Sequence, residues 1–152
     1  MNKWMQIAYS EATKGMLSND GGPFGAVIIK DDKIIASAHN RVLKDKDPTA
    51  HAEINAIRKA SKALNNFDLS GCILYTTCEP CPMCLGAIFW ARIKTVYYGA
   101  TKDDASLGGF DDSHFYEMMN GKNRVVVLKQ IEHKVNAELF QLWNEKNDAQ
   151  MY

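Results

Sequence analysis

His51-Ala52-Glu53 and, further along, Cys78-Glu79-Pro80-Cys81-Pro82-Met83-Cys84 decide how this chain is read. One imidazole and two thiols make a ligand set that suits zinc and leaves its fourth tetrahedral position open to water. A carboxylate two residues beyond the imidazole is placed to carry protons for that water. Pro82 suits the first position of a helix, so Cys81 and Cys84 are expected on one face of a first helical turn. There the positive end of the helix dipole and the metal both favour thiolate. His51 is expected at the start of another helix. Two helix N-termini brought together would then place three ligands around one point. Glu53 cannot share the face of His51 deep inside a regular helix, but it can reach the site from the first turn.

Outward from these motifs, strands and helices alternate. Residues 2–16 read as an amphipathic helix with Trp4, Ala8 and Ala12 on one stripe. Residues 18–23 form a turn rich in Asn, Asp and Gly. Strands over 24–29 and 33–39 flank an Asp31-Asp32 hairpin turn. A charged loop over 41–47 ends at Pro48. A helix over 49–64 follows, with Ile54, Ile57 and Leu64 inward, stopped by Asn65-Asn66. A strand over 72–76, a helix over 82–92 and a strand over 95–99 come next. Residues 101–121 read as irregular, 124–128 as a last strand, and 136–147 as a last amphipathic helix bearing Leu139, Phe140, Leu142 and Trp143. The alternation predicts a single α/β domain spanning residues 1–152, a three-layer α/β/α sandwich around a mixed five-stranded sheet.

Bulk properties narrow the function. The chain has 152 residues, enough for one domain with a real core, and is 46% hydrophobic. Lys and Arg total 18, as do Asp and Glu, so no net charge draws it to phosphate backbones or anionic membranes. Lys3, Glu11 and Lys14 interrupt the first sixteen residues, which lack the apolar core of a signal peptide. No apolar run approaches a membrane span. A cytoplasmic location follows as the expectation, and in that compartment Cys72, Cys78, Cys81 and Cys84 are thiols or ligands rather than disulfides.

His-x-Glu with Pro-Cys-x-x-Cys is the known signature of zinc nucleobase deaminases. Residues 21–27 (Gly-Gly-Pro-Phe-Gly-Ala-Val), 47–53 (Asp-Pro-Thr-Ala-His-Ala-Glu), 76–84 and 109–113 (Gly-Phe-Asp-Asp-Ser) together resemble the bacterial guanine deaminases of the cytidine/deoxycytidylate deaminase superfamily. The His-x-Glu and Pro-Cys-x-x-Cys motifs are shared by the superfamily at large, and the Gly-Phe-Asp-Asp-Ser stretch is more particular to the guanine branch. The resemblance implies hydrolysis of guanine to xanthine and ammonia, with one zinc per subunit held by His51, Cys81 and Cys84. Glu53 would shuttle protons, and Asp112 would assist the departing amine. Asn40 would hydrogen-bond the purine and Phe24 would pack on it, with Trp90 completing an aromatic wall. A homodimer that exchanges C-terminal segments is implied too, Tyr152 closing the neighbour's pocket.

Each residue also has a plainer reading. A closed structural zinc site would need a fourth ligand, and Cys78 or Cys72 is at hand. Asp111 and Asp112 suit a solvated turn, Phe24 a strand core, Asn40 a turn cap, Trp90 an apolar helix face, and Tyr152 a frayed end. His39, His114 and His133 have no companions in the sequence and read as ordinary core or surface residues. Guanosine, another nucleobase or a tRNA adenosine is the alternative substrate. Nucleic acid is disfavoured because the last helix sets Glu138, Glu145 and Asp148 against Lys146. A non-catalytic zinc-stabilised module is the alternative of a different class, and it leaves Glu53 without a purpose.

Overall fold

A computed structural model describes residues 2–122 and 126–152. Helix α1 (Lys3–Leu17) starts where the Asn2 side chain accepts from the backbone N–H of Trp4 and Met5. Strands β1 (Gly25–Lys30) and β2 (Lys33–His39) form a hairpin in which Lys30 pairs with Lys33. Its turn residues, Asp31 and Asp32, have φ of 48° and 56°. Left-handed backbone at both central positions matches the twist of the strands on either side. Then come α2 (Val42–Asp45), α3 (Ala52–Leu64), β3 (Ile73–Cys78), α4 (Pro82–Trp90) and β4 (Thr95–Ala100). Short helices α5 (Lys102–Leu107) and α6 (Ser113–Met119) and the longer α7 (His133–Glu145) complete the described chain.

The sheet order is β2-β1-β3-β4, antiparallel except for the parallel pair β3 and β4. It is therefore mixed, as expected, but four-stranded rather than five-stranded among the described residues. The strand expected over 124–128 lies partly outside them, and Val126 to Leu128 form no strand. The segment expected to be irregular holds α5 and α6. Helix α5 is set by a capping box, Thr101 and Asp104 each bonding the other's backbone N–H.

Strand β1 is buried on both faces, as a central strand must be when helices cover each side. The alternation of side chains sends Val27 and Ile29 toward α1, with Ala8, Met5 and Tyr75. It sends Ala26 and Ile28 to the other core, with Ala52, Ala56, Ala60, Leu74 and Ile88. The inward stripe of α3 is thus made of alanines, which let the helix lie close to the sheet. Ile57 and Leu64, expected in the core, flank it half-buried. Helix α1 approaches closer still. A Cβ on Gly25 would stand 2.0 Å from the carbonyl oxygen of Ala8 and 2.6 Å from the nitrogen of Ala12.

One end of the sheet collects the functional termini. Gly25 at the start of β1 pairs with His39 at the end of β2, and Ala26 pairs with Thr76 near the end of β3. Helices α3 and α4 follow β2 and β3, so both begin at that end. Gly25→Ala is expected to lower stability by about 1–3 kcal/mol, the usual penalty for forcing atoms into a packed contact. A denaturant midpoint equal to that of the parent would show instead that α1 rides away from the sheet freely.

Candidate metal and catalytic site

His51 and Cys81 are the N-caps of α3 and α4, both in extended backbone. An N-cap side chain is free of helical periodicity and turns back over the first turn of its own helix. This explains how Cys81 meets Cys84 and how His51 and Glu53 can face the same point although they are two apart. Helix α3 starts later than the sequence suggests because Asp47 binds the backbone N–H and hydroxyl of Thr49 in a local turn.

The imidazole Nδ1 of His51 lies 3.6 Å from Cys81 Sγ and 3.5 Å from Cys84 Sγ. Zinc–sulfur and zinc–nitrogen bonds at tetrahedral angles demand an N···S edge of about 3.6 Å, so the donor set fits the ion. These three residues could hold a metal ion, their ligand atoms all lying within 4.8 Å of one another. Cys81 is the readier anion of the pair. The bond from the Cys84 thiol, aided by His51 and against the effect of burial, holds it down to about 4. Cys84 is driven far upward by that same bond to Cys81 and by burial. His51 is raised by its contact with Cys81.

The alternative fourth ligands do not join this group. Cys78 turns its thiol to the carbonyl of Thr101, 3.7 Å away, and burial pushes it up to about 11. Cys72 is packed in the hydrophobic core.

Glu53 is only 6% exposed. Its Oε1 accepts from the Thr76 hydroxyl at 3.2 Å, and its Oε2 lies 3.5 Å from Cys84 Sγ. Burial raises its pKa, with the charge on Cys81 adding to the effect. A carboxylate so placed holds a proton more readily than one in water, as a proton carrier must. Thr76, whose hydroxyl donates to Glu53, is a site contact that the sequence reading did not single out.

A cavity of about 600 Å³ opens over this group. Phe24, Asn40 and Asp112 are among the residues that line it. Burial raises the pKa of the Asp112 carboxyl. The second ring is Phe110, edge-on to Phe24 with centroids 4.9 Å apart. Trp90, expected in the aromatic wall, does not line this cavity. It lies with Phe89 and Arg92 around a separate depression, and Tyr152 is beside it at 6.3 Å. Phe110 stood in the quoted Gly-Phe-Asp-Asp-Ser stretch, and its aromatic character next to two acids was the available signal.

His51→Ala and Cys84→Ala are each expected to purify without zinc, while Cys78→Ala keeps one zinc per chain. Atomic-emission analysis checks this, and loss of zinc from Cys78→Ala would make that thiol a ligand.

The family model for the cytidine and deoxycytidylate deaminase zinc-binding region matches residues 1–100. The chain is 46% identical to the guanine deaminase of Bacillus subtilis (strain 168) over 98% of its own length and 97% of that protein's. The crystal structure of guanine deaminase from Bacillus subtilis superposes over 100% of this chain and 99% of that one, with a TM-score of 0.95. A tRNA-specific adenosine deaminase from Buchnera aphidicola is 38% identical over 90% of this chain and 88% of that protein. With donor set, signature and fold in agreement, the chain belongs to the zinc-dependent cytidine and deoxycytidylate deaminase family.

Proposed function

We propose that this protein hydrolyses guanine to xanthine and ammonia. The observation that carries the reading is the Glu53 carboxylate, buried against the three metal donors at one end of an aromatic-lined cavity. The likeness to a guanine deaminase extends over 98% of the chain. The likeness to a tRNA-specific adenosine deaminase is weaker, 38% identity over 90% of the chain against 46% over 98% for the guanine deaminase. The neutral net charge also supplies no general attraction to a polynucleotide.

His51, Cys81 and Cys84 would hold zinc, which when bound supplies Lewis acidity and brings the pKa of a water at its open position to about 7. Glu53 takes a proton from the attacking water and delivers it to the ring nitrogen N3 of guanine as oxygen bonds to C2. The remaining water proton, on the new C2 hydroxyl, is then taken by Glu53 or Asp112 and one is delivered to the amino group. The C2–N bond breaks, and ammonia leaves as the C2 carbonyl forms with both carboxyl groups restored. Two carboxylates are useful because the amino carbon lies between two ring nitrogens and more than one proton must be placed. The raised pKa of each suits it to give a proton back. Phe24 and Phe110 pack on the purine. The oxygen of the Asn40 side chain accepts from the N–H of Val42 at 3.1 Å, which leaves its amide nitrogen to donate to the purine.

The protein works as a homodimer with exchanged C-terminal segments. Helix α7 leaves Leu139, Phe140 and Leu142 exposed, Phe140 at 74%. Leu85, Phe89, Trp90, Tyr97 and Tyr98 on α4 and β4 are exposed as well. Two unpartnered apolar faces on one chain suit a second copy of it. Tyr152 stands beside Trp90 and Phe67, outside the cavity of its own chain. Both Trp90 and Tyr152 therefore act, in this reading, on a neighbour's cavity. Among the described residues no helix is long and apolar enough to cross a membrane.

Ammonia release should be seen with guanine and be abolished by a chelator; release from a tRNA anticodon stem alone would overturn the assignment. Glu53→Gln is expected to keep zinc and lose turnover. Asp112→Asn should lower turnover by roughly 10²–10⁴-fold, as for a general acid–base group, and unchanged kinetics would return Asp112 to the solvated-turn reading. Removal of residues 148–152 should raise KM if Tyr152 closes a pocket, and an unaltered KM would count against the exchange.

A further inference from the structure

His39 has no companions in the sequence, yet in the fold it is a buried junction of charge. Its Nδ1 lies 2.8 Å from Glu11 Oε2 on α1, and its Nε2 lies 2.9 Å from Asp20 Oδ2 in the turn after α1. The Ser37 hydroxyl also donates to Glu11 at 3.3 Å, and Lys44 of α2 donates to Asp20 at 3.2 Å. Each ring nitrogen thus has a carboxylate oxygen within hydrogen-bond distance, one from each side. Burial alone would raise the Glu11 carboxyl, but the bond from His39 and the nearby Lys14 carry it below its ordinary range. The bond from His39 lowers Asp20 likewise.

The side chain lies close against α1 at Gly15, where that helix has no side chain. A Cβ on Gly15 would come within 2.4 Å of His39 Cδ2. Glycine inside a helix gives up about 1 kcal/mol relative to alanine, so its use here answers to the ring it accommodates.

The next residue is Asn40. Its N–H donates to the carbonyl of Phe24 at 3.0 Å, and the N–H of Arg41 donates to Ala50. The carbonyl of His39 accepts from Asn55 of α3 at 3.0 Å. Asp20 also accepts, through its backbone oxygen, from the N–H groups of Leu43 and Lys44. The same carboxylate residue that grips the His39 ring thereby holds the turn carrying Val42, whose N–H orients the Asn40 amide. On the far side Gly21 leaves room for that amide, since a Cβ there would lie 2.0 Å from Asn40 Oδ1.

We propose that His39, clamped between Glu11 and Asp20, is a positioning residue that presents the Asn40 amide to the purine. The inference rests on the guanine reading above. A fixed amide binds the ring equally in the ground and transition states, so its loss should appear in KM rather than in kcat. In zinc-loaded His39→Gln, KM for guanine should rise roughly tenfold, about the worth of one hydrogen bond, with kcat per zinc within about threefold of the parent. Gly15→Ala, which presses on the ring without removing it, should move KM the same way and decides the matter if His39→Gln does not fold. Asp20→Asn keeps an acceptor of the same size and should give a smaller rise. A folded, zinc-loaded His39→Gln with the parental KM, or one that loses kcat alone, overturns the proposal while guanine turnover by the parent still stands. A parent that releases no ammonia from guanine defeats the reading it rests on, and this inference with it.

Discussion

Everything functional in this protein depends on two helix N-termini meeting at one end of a sheet. Strands β2 and β3 flank β1 and finish at the same end of the sheet, where β1 begins, and the helices that follow them start there. Each opens on an extended N-cap residue bearing a metal donor, His51 in one case and Cys81 in the other. Neither donor would reach the other from within a helix. At the caps they stand 3.6 Å apart, with Cys84 one turn further along α4. Glu53, in the first turn of α3, is carried into the same space and buried there. The site is a product of where the helices begin, and the sheet order decides where they begin.

The metal donors and Glu53 were legible in the sequence because their spacing encodes a local geometry. Two thiols three apart after a helix-initiating Pro82 can hardly point anywhere else. The layers were legible for a similar reason, since residue patterns of period 2 and 3.6 show in short segments. Thr76, Phe110 and His39 were not singled out because their roles arise between elements distant in the chain. Thr76 reaches Glu53 across 23 residues of chain through a hydrogen bond that only the fold makes. His39 looked solitary because Glu11 lies 28 residues away and Asp20 19. No local pattern reports such a meeting.

The C-terminal third shows the opposite failure. The apolar pattern of α7 was read correctly as an amphipathic helix, yet an amphipathic pattern says nothing of which chain covers it. Its hydrophobic residues are exposed within one chain. By resemblance Trp90 was expected in the aromatic wall and Tyr152 at a neighbour's pocket; within a single chain the two rings lie beside each other. An exchanged dimer brings the two facts together. Among the described residues the sheet is four-stranded, and its parallel outer strand β4 exposes Tyr97 and Tyr98, which offers a place for such a partner to pack.

The central claim is a metal held by one nitrogen and two sulfurs with a position left for solvent. X-ray absorption at the zinc edge of the purified native protein reads that shell directly. Two sulfur scatterers at about 2.3 Å and two nitrogen or oxygen scatterers at about 2.0–2.1 Å are predicted. A third sulfur in the shell would mean that Cys78 closes the site, and the hydrolytic account would be contradicted.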